Sequence, residues 1–457
     1  MKKGFIFNPK LVLIGLAVWI TACCVPSANN DFQPNILIIV VDTLRFDATG
    51  LNGNPNKNMP FLMDLASRGI HFKNNYSTYD CTVPSHFSIL TGYIDSETNL
   101  DNPNYCMAHQ LGRIGYDTFG ISANASLTPE GMGILGGFNF YICVPEIFNA
   151  MSPEERLRWR DKIDPRIEHY GGRLILFNRR NSYESAERVL PLLKERLKNA
   201  EQPFFGFVNF MEPHDPYFPD PSYYNKDDSE RNLRPEGFDS DVRFRWLGPE
   251  LRNPDSIPDK NRRELIKQKL KYVNDRQWSL SIDLSPNALK VYQMRYEAEA
   301  RDMDRHLGDL FAFMKNEGLL ETTAIIITSD HGEAFGEDDF LTHMMSNKGD
   351  LEATRRVPLV FYFPPRYRFS PKEMSVSTTV ADIAPSVYDL IGLDWLPLAK
   401  SSIGNYGKSL LPYISDSSVS SYSQEVSFDP GHMIDEKKRK ELEKNARDRL
   451  RSLGYIK

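Results

Sequence analysis

The sequence predicts an α/β fold: an open, doubly wound, mostly parallel sheet with helices on both faces and a smaller C-terminal subdomain. Three observations carry this. First, Ile36 to Val41 is an unbroken β-branched and Leu run, and Ala324 to Thr328 is a second of this type; Phe204 to Phe210 and Val357 to Phe363 are two more. Such runs fit strands buried on both faces, as in parallel sheets. Second, helical patterns lie between them. Met59 to Gly69 reads as a helix with a glycine stop, and Tyr292 to Leu320 as a long amphipathic helix ending near Gly318. Third, helices and apolar strands alternate along the chain, which favours parallel pairing through crossovers.

The bulk numbers agree with a globular chain. It has 457 residues, 41% hydrophobic and 25% charged, enough for one large α/β domain with additions or for two domains. A net charge of −6 and a pI near 5.9 give no reason to expect a nucleic-acid partner. Lys2, Lys3 and Lys10 precede a short apolar run from Leu11 to Ala22, too short to span a bilayer as a mature helix. Residues 1–22 therefore read as a secretory signal, with a buried apolar helix as the competing reading. The run ends Ile20-Thr21-Ala22-Cys23, like a bacterial lipoprotein cleavage box. Cys23 becomes the lipidated first residue, residues 23–33 a tether, and the expected location is the bacterial cell envelope, on the membrane. Only Cys81, Cys106 and Cys143 remain beyond the anchor, leaving room for one disulfide that sequence cannot assign.

The expected catalytic domain runs over residues 34–374. Residues 218–287 within it are rich in Asp, Arg, Asn, Glu and Pro and read as a polar insertion, with Trp246, Leu251, Tyr272 and Trp278 as packing points. Residues 375–457 form the C-terminal subdomain and a charged tail helix.

Candidate chemistry gathers where apolar runs stop. Asp42 ends one, and Asp330 ends another and is followed by His331, Gly332 and Glu333. Open α/β sheets bind ligands beyond the carboxyl ends of their strands. Oxygen plus imidazole ligands there suit Zn²⁺ or Mn²⁺, and Mg²⁺ or Ca²⁺ less well. A lone Asp after a strand also serves as a helix cap; Asp-His-Gly after an apolar strand is the more specific signal. Cys81-Thr82-Val83-Pro84-Ser85-His86 offers a hydroxyl at the approach to a helix expected to open at Pro84 and Ser85, whose amides would stabilise an attacked anion. A metal can activate a Thr hydroxyl that is a poor nucleophile alone. Met211-Glu212-Pro213-His214-Asp215-Pro216-Tyr217 is a stiff, ionisable loop directly after a strand; a solvated turn is the plainer reading. His343 lies among Phe340, Leu341 and Met344, a setting more typical of a core histidine than of a ligand.

Taken in order, these segments resemble the sulfatase branch of the alkaline phosphatase superfamily. The resemblance runs from Pro34 to Gly407 and rests on Asn35 to Asp47, Thr82 to Gly92, Glu212 to Tyr217, Tyr296 to Glu333, Arg356-Val357-Pro358-Leu359 and Asp382-Ile383-Ala384-Pro385. It implies an alkaline phosphatase-like fold and one or two divalent ions. It implies a metal held by Asp42, Asp330 and His331, with Thr82 at the nucleophile position. It also places His214 near the metal or the transferred anion, and His343 as ligand to a second ion, joined by Glu212.

The departures are as informative. Sulfatases carry a Cys or Ser, oxidised to formylglycine, where this chain has Thr82; Cys81 is one position early. His86 replaces an Arg and is a candidate substrate contact at that position. The usual Lys and His fall on Ala123 and Ala125, with Asn124 between them as a donor to an anionic oxygen. The expectation is an ester hydrolase acting on anionic esters of an envelope glycan or lipid, favouring phosphate mono- or diesters through a covalent Thr82 intermediate. A sulfuric ester hydrolase, a phosphoethanolamine-type transferase and a non-catalytic binding protein on the same scaffold are the alternatives.

Overall fold

The structure is a computed structural model. It describes residues 33–414 apart from 54–57, 95–101, 145–184, 215–216, 218, 221, 224–259, 261–262, 265–285, 338–340, 344–351 and 394–404. The signal and anchor, nearly all of the polar insertion and the tail helix lie outside the described residues.

The main elements in chain order are β1 (Asn35–Val41), α1 (Pro60–Arg68), β2 (Ile70–Tyr76), α2 (Thr82–Thr91), β3 (Asp117–Ser122), β4 (Phe140–Cys143), α3 (Ala186–Asn199), β5 (Phe204–Phe210), α4 (Pro286–Asn316), β6 (Thr323–Thr328), β7 (Ala334–Phe335), β8 (Leu341–Thr342), β9 (Leu359–Tyr362), β10 (Lys372–Thr379) and α5 (Ile383–Leu390). Eight strands form one sheet in the order β10-β2-β9-β6-β1-β5-β3-β4. Strand β9 pairs antiparallel with β2 and β6; every other pair in the sheet is parallel. The sheet is thus mixed and mostly parallel, as expected.

The central strand shows why a uniformly apolar run is a strand here. Ile36, Ile38 and Val40 face one core with Phe87 and Leu90 of α2 and Val387 of α5. Leu37, Ile39 and Val41 face the other, with Leu62 of α1, Val189 of α3 and Leu307 of α4. Alternate side chains meet opposite helical layers, so both sets must be apolar. Burying each such side chain stabilises the fold by about 1.5–3 kcal/mol.

Helix α1 has no capping side chain at Met59. Asp304, reaching from α4, accepts from Phe61 N at 2.8 Å and Leu62 N at 2.9 Å instead, which ties α4 to α1. The boundary expected at residue 374 falls inside β10, which pairs parallel with β2. Helix α5 then packs into the same core as α2, so residues 372–390 continue the sheet and its helical layer. Cys81, Cys106 and Cys143 form no disulfide among the described residues. Among the described residues no helix is long and apolar enough to cross a membrane.

Candidate active site

The ends of β1, β6, β5 and β3 converge at the carboxyl edge of the sheet. Strands β1 and β6 are hydrogen-bonded neighbours, so the residues following them are neighbours too. Asp42, Asp330 and His331 each present a ligand atom, and these atoms lie within 4.8 Å of one another in a buried group. His331 Nε2 stands 3.4 Å from Asp330 Oδ2 and 3.9 Å from Asp42 Oδ1.

Each of these three side chains is oriented from behind. Asn124 Nδ2 donates to Asp42 Oδ2 at 3.0 Å, and Asn209 Nδ2 lies 3.4 Å from the same oxygen. Asp330 Oδ1 accepts from Thr43 N at 3.2 Å and from His331 N at 2.9 Å. His331 Nδ1 donates to Gly332 O at 2.9 Å, which leaves the Nε2 lone pair facing the carboxylates. The opposite oxygens, Asp42 Oδ1 and Asp330 Oδ2, are buried without a hydrogen bond among the described residues. Two such groups are costly unless a cation or protons meet them. Without a metal, burial and the neighbouring Asp330 push Asp42 up to about 6, and burial pushes Asp330 up to about 7. Burial also lowers His331, favouring the neutral imidazole a metal requires. The donor set therefore fits a divalent cation.

Thr82 opens α2, with Cys81 before it in extended backbone. The helix starts two residues earlier than the Pro84 start expected. Pro84 fits the first turn because amides there have no intrahelical partner to lose. Thr82 Oγ1 lies 3.3 Å from His331 Nε2, so the hydroxyl stands at the edge of the ligand group and at a helix N-terminus. His86, one turn along, points inward: it is fully buried, and Nδ1 donates to Thr82 O at 2.8 Å. Burial lowers it to about 3. It is a neutral brace under Thr82 and not the substrate contact expected.

The remaining expected residues divide. His343 follows β8, whose pairing with β7 sets it beside Glu333; its Nδ1 is 2.9 Å from Glu333 Oε1. Its ring lies 4.4 Å from that of His331 and 4.8 Å from that of His214. Both His343 and His214 flank the Asp-Asp-His group without belonging to it. Both Glu212 oxygens accept from Ala186 N, at 3.0 and 3.1 Å, at the start of α3, and Glu212 is not part of the Asp-Asp-His group. Asn124 spends its amide on Asp42, with Oδ1 accepting from Ser126 N at 2.8 Å, so it orients a ligand where a contact to an anionic oxygen was expected.

Sequence reasoning missed Asn209, Ser77 and Ser329. Asn209 is a lone polar residue in an apolar strand, a signal that was present. Ser77 Oγ donates to Asp330 O. Ser329 Oγ donates to His331 O at 2.6 Å and accepts from Leu44 N at 2.9 Å. Thr43, directly after Asp42, has φ +56°, a left-handed backbone that costs a β-branched residue on the order of 1–3 kcal/mol.

Comparisons with known proteins agree with this architecture. The Sulfatase family model matches residues 34–393. The chain is 24% identical over 424 residues to choline-sulfatase of Rhizobium meliloti, covering 87% of this chain and 76% of that one. It is 26% identical over 371 residues to an arylsulfatase of Clostridium perfringens, covering 73% and 69%. A multifunctional alkaline phosphatase superfamily protein of Trinickia caryophylli is 23% identical over 453 residues, covering 87% and 80%. Among solved structures, the phosphonate monoester hydrolase of Agrobacterium radiobacter superposes with a TM-score of 0.55 at 20% identity, over 84% of this chain and 77% of that one. That likeness establishes the alkaline phosphatase-like fold. Family match and fold together make this chain a member of the sulfatase family, hydrolases of ester bonds within the alkaline phosphatase superfamily.

Proposed function

We propose that this protein is an exported, metal-dependent hydrolase of anionic esters that favours phosphate mono- or diesters, with Thr82 as nucleophile. The observation that carries the reading is the Thr82 hydroxyl on the first turn of α2, 3.3 Å from His331 Nε2 at the edge of the ligand group. A threonine cannot become formylglycine, and Cys81, the residue that could, precedes the helix by one position.

Asp42, Asp330 and His331 would hold a divalent cation, Zn²⁺ or Mn²⁺ by their mixed oxygen and imidazole character. When bound, such a cation would lower the pKa of a nearby hydroxyl and offset negative charge on the transferred group. Thr82 Oγ attacks phosphorus, the bond from phosphorus to the leaving alcohol oxygen breaks, the proton given up by the Thr82 hydroxyl ends on the departing alcohol, and a phospho-Thr82 ester results. Water hydrolyses that ester in a second step and restores the hydroxyl. The amides at the α2 N-terminus face the developing charge. His86 holds the Thr82 carbonyl, and Asn124 holds Asp42. His214 and His343 border the group where a non-bridging oxygen or a second ion would sit.

A phosphate preference is supported by the neutrality around Thr82. His86, Ala123 and Ala125 provide no fixed positive charge at the positions where the sulfatase pattern has cationic side chains. A sulfate ester is the second reading, favoured by the relatives named as choline-sulfatase and arylsulfatase. Purified protein loaded with Zn²⁺ or Mn²⁺ and assayed on phosphate and sulfate esters of the same alcohol separates them. Faster release from the phosphate ester supports the proposal, and sulfate release with no phosphatase turnover contradicts it. The Cys23 box supports attachment to the bacterial envelope, where glycan or lipid esters would be the substrates.

A further inference from the structure

We propose that the Tyr296 hydroxyl is a positioning group for the metal site, pinning the strained turn from Thr43 to Arg45 that aims Asp42. The inference rests on the metal reading above, and not on which ester is cleaved.

Three successive amides follow Asp42, and each donates to a side chain. Thr43 N donates to Asp330 Oδ1 at 3.2 Å, Leu44 N to Ser329 Oγ at 2.9 Å and Arg45 N to Tyr296 Oη at 2.8 Å. The first two acceptors belong to the segment after β6 that carries the other metal ligands. The third reaches in from α4, and the same hydroxyl donates back to Thr43 O at 2.8 Å. One hydroxyl can serve both bonds, as one donor and one acceptor.

These bonds close over Thr43 at its φ of +56°, a conformation that persists only where the surroundings over-determine it. The Thr43 hydroxyl is buried with no hydrogen bond among the described residues, so that side chain does not hold the turn. Tyr296 itself is 1% exposed and fixed edge-on by Phe335 at 5.0 Å and Tyr217 at 5.8 Å. Its hydroxyl is therefore a rigid peg. Without it, Thr43 relaxes toward negative φ and rotates the Asp42 carboxylate away from Asp330 and His331.

The test is Zn²⁺ affinity of chelator-stripped protein, read in competition with a chromogenic chelator, for wild type, Tyr296→Phe, Thr43→Gly and the double variant. Tyr296→Phe should bind about 10- to 100-fold more weakly, the loss typical of an outer-shell partner. Thr43→Gly should bind no worse than wild type. The double variant should recover most of the loss, because glycine holds positive φ without steric cost. A purely structural role for Tyr296 would lower the melting temperature without moving Zn²⁺ affinity, and glycine would not rescue it. Wild-type affinity in Tyr296→Phe, or a double variant no tighter than Tyr296→Phe, overturns the inference and leaves the metal reading standing. Thr43→Gly keeps both bonds of Tyr296 and reads independently of whether Tyr296→Phe folds; a loss of tenfold or more there also overturns it. Wild-type protein that takes up no Zn²⁺ overturns the metal reading and this inference with it.

Discussion

At the scale of single residues, the site is built from carboxylates that the fold cannot satisfy by itself. Burial raises both Asp42 and Asp330, to about 6 and about 7 without metal. A raised carboxyl pKa means that the folded state keeps a proton where the unfolded chain has lost it. The metal-free protein should therefore lose stability as pH rises from about 4 to about 7, and change little from these groups above that. Bound metal replaces those protons, so the gain in melting temperature on adding Zn²⁺ should grow across the same window. Thermal melts with and without Zn²⁺ at several pH values check this; a gain independent of pH would remove Asp42 and Asp330 as the sites of uptake. Thr82→Ala should cut turnover by at least about 10³-fold while leaving Zn²⁺ affinity within a few-fold. Kinetics alongside metal titration separates nucleophile from ligand, since loss of both would make Thr82 chiefly a ligand. The Asp-Asp-His group was legible because Asp42 and Asp330 follow apolar runs and His331 comes directly after Asp330. The orientation of His86 was not, since its partners are Thr82 O one turn back and Asn209 on another strand.

At the scale of elements, what could be read was set by distance along the chain. Strand β1 and helix α1 follow from local pattern. The role of Glu212 does not, because its partner amide at Ala186 is 26 residues away and the pairing exists only once α3 lies against β5. A carboxylate on a helix N-terminus satisfies an orphan amide and complements the helix dipole. Glu212→Ala should therefore cost about 0.5–2 kcal/mol of stability in urea denaturation, in the range of a lost N-cap. Zn²⁺ affinity should not change; a tenfold loss would return Glu212 to the ligand set. Helix α4 matters beyond packing, since it delivers Asp304 to α1 and Tyr296 to the turn after β1. Its amphipathic pattern predicted a helix, but not that a tyrosine on it would reach a backbone turn 251 residues away.

At the scale of the molecule, the sheet order puts β1 between β6 and β5, so residues from distant parts of the chain meet at one edge. That gathering is a property of the α/β scaffold, and the same scaffold hosts more than one chemistry. The family is therefore secure while the substrate depends on a few side chains around Thr82. Location depends on the first residues of the chain: if Cys23 carries the lipid, Cys23→Ser should move the protein from the membrane fraction to the soluble envelope fraction, and an unchanged distribution would rule the anchor out. Phosphoryl transfer to Thr82 can be read by mass analysis of the Thr82 peptide. The metal-loaded enzyme is quenched during turnover of matched phosphate and sulfate esters. A phosphorylated Thr82 is expected from the phosphate ester and absent in Thr82→Ala. An unmodified Thr82 during rapid turnover, or turnover confined to the sulfate ester, would contradict it.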